Sequence, residues 1–290
     1  MKKALAEAIA ALIPHKMTRN RCRGILRYGV RKAMELRREL KEEHPVPKHY
    51  LSVCAVVKNE APYFKEWIEW HTKIGVEKFY IYDNDSTDNT REVLEPYIEK
   101  GLVEYKYWPG RKQQLAVYDD CIDSHRYDSR WIAIIDLDEF LFPVVDKSMV
   151  TFLERLENFS SVEINWLVYG SSGKKMKEPG DVMQRFKAHA LSGNPINRYV
   201  KSIVNPRKVY CMIGAHESAR IEGLSCNADG VPNKKSFRDR IPTHVTARIN
   251  HYPLKSYEEF LEKRSRGRVR TNEVLDQDYI TRFDFNDEVD

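Results

Sequence analysis

The apolar run Trp131-Ile132-Ala133-Ile134-Ile135 ends in Asp136-Leu137-Asp138-Glu139-Phe140. Rich in β-branched residues and without alternation, it reads as a strand buried on both faces. The carboxylates crowded at its end repel one another unless something compensates them. A divalent cation does so, because Mg²⁺ and Mn²⁺ take hard oxygen ligands and are often shared with substrate phosphates. The segment therefore predicts a strand-end metal site facing a diphosphate. The plainer alternative is an acidic loop in solvent.

The surrounding pattern supports a site. A chain of 290 residues can bury one large core plus a small extension. Between residues 50 and 140, strand-like and helix-like segments alternate. Leu51 to Val57 is a strand, and Tyr63 to Ile74 is an amphipathic helix with Phe64, Trp67, Ile68 and His71 near one face. Strands follow at 79–82, 102–107 and 131–135, with helices from about 89 to 101 and 113 to 125. Asn89 and Glu92 form a capping-box-like pair. The polar clusters 58–60, 83–88 and 136–139 all fall at strand carboxyl ends, the edge where open parallel sheets bind ligands. The expectation is an α/β chain with a mixed, mainly parallel, Rossmann-like sheet flanked by helices. Beyond 150 the pattern loosens into short strands and long loops.

Charge is unevenly placed. Residues 1–48 hold 13 Lys/Arg and 5 Asp/Glu, a net of +8, whereas the remaining 242 residues hold 35 and 38, a net of −3. Ala4, Leu5, Ala8, Ile9 and Leu12 share one helical face, and a polybasic segment follows. Such an arm suits an anionic membrane surface, which residues 1–40 are expected to touch. The alternatives are helices packed on the body or, less favoured because only Tyr28 is interleaved, nucleic acid. Glu7 and Pro14-His15-Lys16 argue against a signal peptide, and no run reaches the ~20 apolar residues of a membrane span. Five cysteines without a C-x-x-C pair read as buried free thiols. That favours the cytosol, peripherally on the inner face of a membrane.

The ordered segments VVKNEAPYFKEWIEWH (56–71), YIYDNDSTDNT (80–90), RKQQLAVYDDC (111–121), WIAIIDLDEFLFP (131–143), NWLVYGSSG (165–173), KSIVNP (201–206) and INHYPLKSYEEFLEKRSRG (249–267) resemble the GT-A glycosyltransferases, of the family-2-like and family 92 kind. The resemblance implies a GT-A-like fold, a nucleotide-sugar donor (UDP-sugar), a glycan or lipid-linked acceptor, and Mn²⁺ or Mg²⁺. It implies inversion if family 92 is the right comparison. It divides the chain into a basic helical arm (1–48), a nucleotide-sugar-binding half (49–145), an acceptor half with a metal and phosphate segment (146–270), and a tail (271–290).

Residue by residue, the resemblance implies that Asp83 holds the base or ribose, with Asn59, Glu60, Arg111 and Gln114 on the donor. Asp136 meets the ribose or the metal, Asp138 binds the metal, and Glu139 supports them. His251 becomes a third ligand, with His216 as its rival, and imidazole suits Mn²⁺ better than Mg²⁺. Lys255, Arg264 and Arg266 face the diphosphate, the arginines on a helix capped by Ser256 and Glu259. Trp166, Tyr169 and His216, with a flexible 170–180 loop, are candidates for the acceptor. The catalytic base lacks the expected Glu-Asp pair, which leaves Glu217 and Asp229. Rival classes are a nucleotidyltransferase acting on sugar phosphates and a non-catalytic glycan- or membrane-binding module. A P-loop and a dinucleotide fingerprint are both absent from the sequence.

Overall fold

A computed structural model describes residues 12–13, 16–266 and 278–290. The apolar face at residues 3–13 lies mostly outside the described residues, as does the side chain of Arg266.

Helices α1 (Lys16–Tyr28) and α2 (Val30–Glu39) precede the sheet. Then β1 (His49–Val57), α3 (Phe64–Lys73), β2 (Lys78–Asp83), α4 (Thr90–Glu99), β3 (Val103–Tyr107), α5 (Gln114–Ser124) and β4 (Ser129–Ile134) alternate as expected. The four strands are parallel, in the order β3-β2-β1-β4. In β1, Leu51, Val53, Ala55 and Val57 enter one apolar cluster, while Cys54 and Val56 enter another across the sheet. Two-sided burial explains why the run does not alternate. Each buried Leu or Val among them contributes ~1.5–3 kcal/mol of burial. All four apolar-face residues of α3 are buried. The helix is followed by Gly75 at φ 105°, where a Cβ would sit 2.7 Å from Val150 Cγ2.

The second half completes the same sheet. It contributes β5 (Glu139–Pro143), α6 (Met149–Glu154), β6 (Ser161–Val168), α7 (Val182–Arg185), β7 (Ala188–His189) and β8 (Val200–Val204). After these come β9 (Val209–Met212), β10 (Ser218–Arg220), β11 (Ser225–Asn227), β12 (Ala247–His251), α8 (Tyr257–Arg266), α9 (Asp278–Phe283) and β13 (Glu288–Val289). Among the described residues the sheet continues β4-β8-β6-β12-β5, with β11 also on β6. β8 lies antiparallel between β4 and β6, and β12 is parallel to β6 but antiparallel to β5. This is the mixed, mainly parallel α/β architecture expected. It lines up Asp83, Asp136 and His251 along strand carboxyl ends.

Several expectations are corrected. Over residues 16–39 the basic arm packs on the body, one of the placements its sequence left open. Arg27 donates to Met212 O at 2.6 Å and pairs with Asp119, Tyr28 donates to Asp123, and Lys32 pairs with Asp123 at 2.9 Å. Gly24 packs directly on Ala219, and Ala33 and Leu36 are buried with Tyr210 and Ile221. Among the described residues no helix is long and apolar enough to cross a membrane. Asn89 makes no cap bond. Asp88 instead accepts from Thr90 N and Oγ1 at 3.1 and 2.6 Å, starting α4 one residue later than read. The Ser256–Glu259 box does form, with reciprocal bonds of 3.1 and 3.2 Å. The 170–180 loop is tied down by the tail, where Ser171 N and Ser172 N donate to Asp284 and Asn286. All five cysteines are free, four of them buried.

Candidate active site

The carboxylate cluster is compensated largely from within the chain. Lys201, on β8 and 1% exposed, donates to Asp136 Oδ2 at 2.7 Å and lies 3.4 Å from Glu139 Oε2. Burial alone would lower its pKa, but Asp136 and Glu139 hold it well above the usual lysine value. Tyr118 OH reaches Asp136 Oδ1 at 3.3 Å, and Gln114 Nε2 donates to Tyr118 OH at 2.9 Å. Glu139 is fully buried and accepts the Asp136 N–H at 2.9 Å. Burial, offset only in part by Lys201, pushes its carboxyl well above the usual range. Lys201 thus sits between two carboxylates, 2.7 Å from Asp136 and 3.4 Å from Glu139.

Asp138 is 6% exposed. Its Oδ2 accepts from Lys263 Nζ at 2.5 Å, and Oδ1 lies 3.7 Å from His251 Nε2. Burial opposes ionisation, yet Lys263 and His251 together hold the carboxyl well below its usual range. Burial lowers the His251 pKa against the opposing pull of Asp138. Its Nδ1 is buried without a hydrogen-bond partner. A carboxylate and an imidazole set side by side fit a divalent cation of the Mn²⁺ or Mg²⁺ kind. No group of three or more His, Cys, Asp or Glu that could hold a metal occurs among the described residues. Further ligands would therefore come from a diphosphate or water. Asp136 is turned to Lys201 and Tyr118. His216 is separated from His251 by Trp166, whose ring lies 5.6 Å from one and 4.1 Å from the other.

The nucleotide side is a cross-linked shelf. Asp83 is buried and accepts from Ser86 N at 2.8 Å and Tyr105 OH at 2.7 Å. Asn59, at φ 50°, accepts the Thr87 N–H at 2.6 Å. Asp85, at φ 60°, accepts from Tyr107 OH and Gly110 N. Glu60 is buried beside them in the chain. Gln114 belongs to the strand-end network, with Oε1 buried and unpaired, whereas Arg111 is exposed in the preceding turn. Lys255 is buried at φ 61°, its ammonium 4.1 Å from the Tyr63 ring centre. Arg264 is half-buried on α8.

Residues 49–282 match the model of glycosyltransferase family 92. The chain belongs to glycosyltransferase family 92. A family 92 protein of Ricinus communis is 28% identical over 249 residues, 82% of this chain and 41% of the relative. Another, from Arabidopsis thaliana, is 33% identical over 46% of this chain and 23% of its own length. A galactan beta-1,4-galactosyltransferase of Arabidopsis thaliana is 26% identical over 55% of this chain and 33% of its own. The match to each of these relatives spans well under half of the relative's length. Staphylococcus aureus TarS, solved in complex with UDP, aligns over 54% of this chain and 47% of its own with 15% identity and a TM-score of 0.38.

Three expectations for this family 92 chain change. Trp166 cannot serve as a stacking platform, since Tyr199 covers it at 5.1 Å and His251 at 4.1 Å. Tyr169 is 1% exposed, covered by Tyr252 at 4.6 Å and bonded to Asp290, so it is core rather than acceptor surface. Asp229 anchors a turn by accepting from the Thr243 and Thr246 hydroxyls at 2.5 and 2.8 Å. Glu217 adjoins His216, whose ring packs against Trp166. Lys201 and Lys263 were missed. The signal for Lys201 was a lone lysine inside the apolar stretch Val200–Val204, a residue type almost never fully buried unless paired.

Proposed function

We propose that this chain is a metal-dependent glycosyltransferase that moves a sugar from a UDP-sugar to a glycan or lipid-linked acceptor with inversion. The Asp138–His251 pair, set beside the Lys263 ammonium at the carboxyl edge of the sheet, carries this reading. Family membership supports it, and the galactan galactosyltransferase relatives support a β-1,4-galactan acceptor.

Asp138 and His251 would hold Mn²⁺ or Mg²⁺, which neutralises charge on the leaving nucleoside diphosphate. Lys263 and Lys255 add fixed positive charge next to the same phosphates. Asp83 would meet the nucleoside through the acceptor capacity left by Ser86 and Tyr105. Lys201 and Tyr118 fix the Asp136 carboxylate, so it can accept a sugar or ribose hydroxyl without reorganising. Of the two base candidates, Glu217 adjoins His216, whose ring packs on the Trp166 ring that also meets His251. Glu217 would take the acceptor hydroxyl proton as that oxygen attacks the anomeric carbon and the diphosphate leaves.

The test is calorimetric binding of UDP with and without Mn²⁺. Wild type should bind UDP at least tenfold more tightly with Mn²⁺, and Asp138→Ala should lose that gain. Metal-independent binding in both proteins would sink the proposal. Release of pyrophosphate from a nucleoside triphosphate and a sugar phosphate would assign the chain to nucleotidyl transfer.

A further inference from the structure

A cavity of about 470 Å³ opens on the opposite face of the β6–β12 pair from the Asp138–His251 site. Strand alternation sets the two faces apart. Trp166 and His251 point to one side, whereas Leu167 and Arg248 line the cavity on the other. Strand β13 supplies its outer wall through Glu288, Val289 and Asp290.

The polar lining is held in place. His244 Nε2 lies 2.7 Å from Trp166 O, a carbonyl that can only accept, so Nε2 carries the proton. Nδ1 therefore accepts from Ser192 Oγ at 2.8 Å. Arg248 donates to Asn250 Oδ1 at 2.9 Å and Asp290 Oδ2 at 2.7 Å. His189 is buried with Nδ1 2.9 Å from Ala190 O.

These groups discriminate between ligand classes. An anion is disfavoured, because Arg248 is already paired with Asp290 and Glu288 adds a second negative charge. A metal ion is disfavoured, because the Asp290 carboxylate is already shared by Arg248 and Tyr169. The Ser192–His244 bond has the form of a nucleophile and base. Two carboxylates on the opposite wall, however, would destabilise the oxyanion such chemistry must form. What remains is a neutral polyol. Carboxylate, guanidinium, imidazole and hydroxyl groups offer hydroxyls both donors and acceptors. Leu167 and Val289 offer an apolar floor for C–H surfaces.

We infer that this cavity is a saccharide subsite that holds a neutral sugar unit of the acceptor away from the reacting end. The inference rests on the glycan-acceptor reading above. Trp166 links the two places, because its carbonyl fixes His244 and its ring packs on His251. They lie on opposite faces of the same strand pair, so an oligosaccharide that meets both has to pass over the sheet edge.

The probe is β-1,4-galactotetraose, followed by calorimetry and saturation-transfer NMR on the full chain. Ser192→Trp fills the cavity from an exposed position; it takes the hydroxyl from His244 Nδ1 but leaves the Nε2 bond to Trp166 O in place. It should weaken tetraose binding at least tenfold while leaving the melting temperature unchanged. Arg248→Gln should do the same where it folds, and Asp138→Ala should keep tetraose binding. Wild-type affinity in Ser192→Trp, or no tetraose binding by wild type, would overturn the inference. Covalent labelling of Ser192 by a fluorophosphonate would overturn it in favour of acyl chemistry. If Asp138→Ala keeps its Mn²⁺-dependent UDP affinity while Ser192→Trp loses the tetraose, the metal assignment fails and the subsite stands.

Discussion

Lys201 Nζ sits 2.7 Å from Asp136 Oδ2 inside the sheet, on a strand antiparallel to the one that ends in the carboxylates. Removing one partner of a buried pair leaves an uncompensated charge and typically costs ~3–5 kcal/mol. Lys201→Met should therefore destabilise the fold by about that amount in urea titrations. Adding Glu139→Gln should change little, because burial pushes that carboxyl's pKa well above the usual range. A double mutant that recovers most of the lost stability would instead identify Glu139 as the charged partner.

Glu259 gives a pH prediction with a defined sign. Burial raises its pKa, but Arg185 and Ser256 outweigh burial and bring it to about 2 from 4.5. Arg185 grips it with two bonds of 2.9 Å, and the carboxylate is 3% exposed. A pKa lowered on folding stabilises the protein above the unfolded value, and that stability is lost as pH falls through the folded one. Wild type should lose roughly 3 kcal/mol from this group between about pH 4.5 and 2. Glu259→Gln should be less stable at pH 6 and lack that component of acid sensitivity. Parallel acid-loss curves for the two proteins in urea would refute the assignment.

Gly75 should resist replacement. Its φ of 105° lies in the left-handed region, and a Cβ would meet Val150 Cγ2 at 2.7 Å. Gly75→Ala is expected to cost about 1–3 kcal/mol in thermal or urea unfolding. Adding Val150→Ala should relieve the clash but not the backbone strain. Complete recovery in the double mutant would show that sterics alone hold the position.

The first half was legible because its signals are local. Unbroken apolar runs marked β1, β2 and β4, and Gly75 and Gly101 marked helix ends. The insertion of β8 between β4 and β6 was not legible, since nothing in KSIV names its neighbours. That pairing brings Lys201 under Asp136, so the compensating charge was invisible even though the need for one was plain. Where the arm packs was not legible for the same reason. Arg27, Tyr28 and Lys32 find Asp119 and Asp123 on α5, far along the chain. Locally they look like a solvated basic face. Asp88 took over from Asn89 as the capping side chain because the turn between 83 and 90 is set by contacts to Asn59 and Ala61.

Lys263 separates two effects that a simple phosphate-binding lysine would not. Its ammonium lies 2.5 Å from Asp138 Oδ2. It therefore repels any cation Asp138 holds, while attracting the diphosphate that follows. Unit charges about 4 Å apart interact by ~4 kcal/mol at an effective dielectric of ~20. About a third of that, ~1.4 kcal/mol, is a tenfold change. Lys263→Met should thus bind Mn²⁺ about tenfold more tightly without nucleotide, and bind UDP more weakly once Mn²⁺ is saturating. Lys263→Arg should stay near wild type in both. Electron paramagnetic resonance of free Mn²⁺, titrated with and without UDP, reads the two affinities separately. Weaker binding of both Mn²⁺ and UDP in the Met variant would show that Lys263 only supports the local fold.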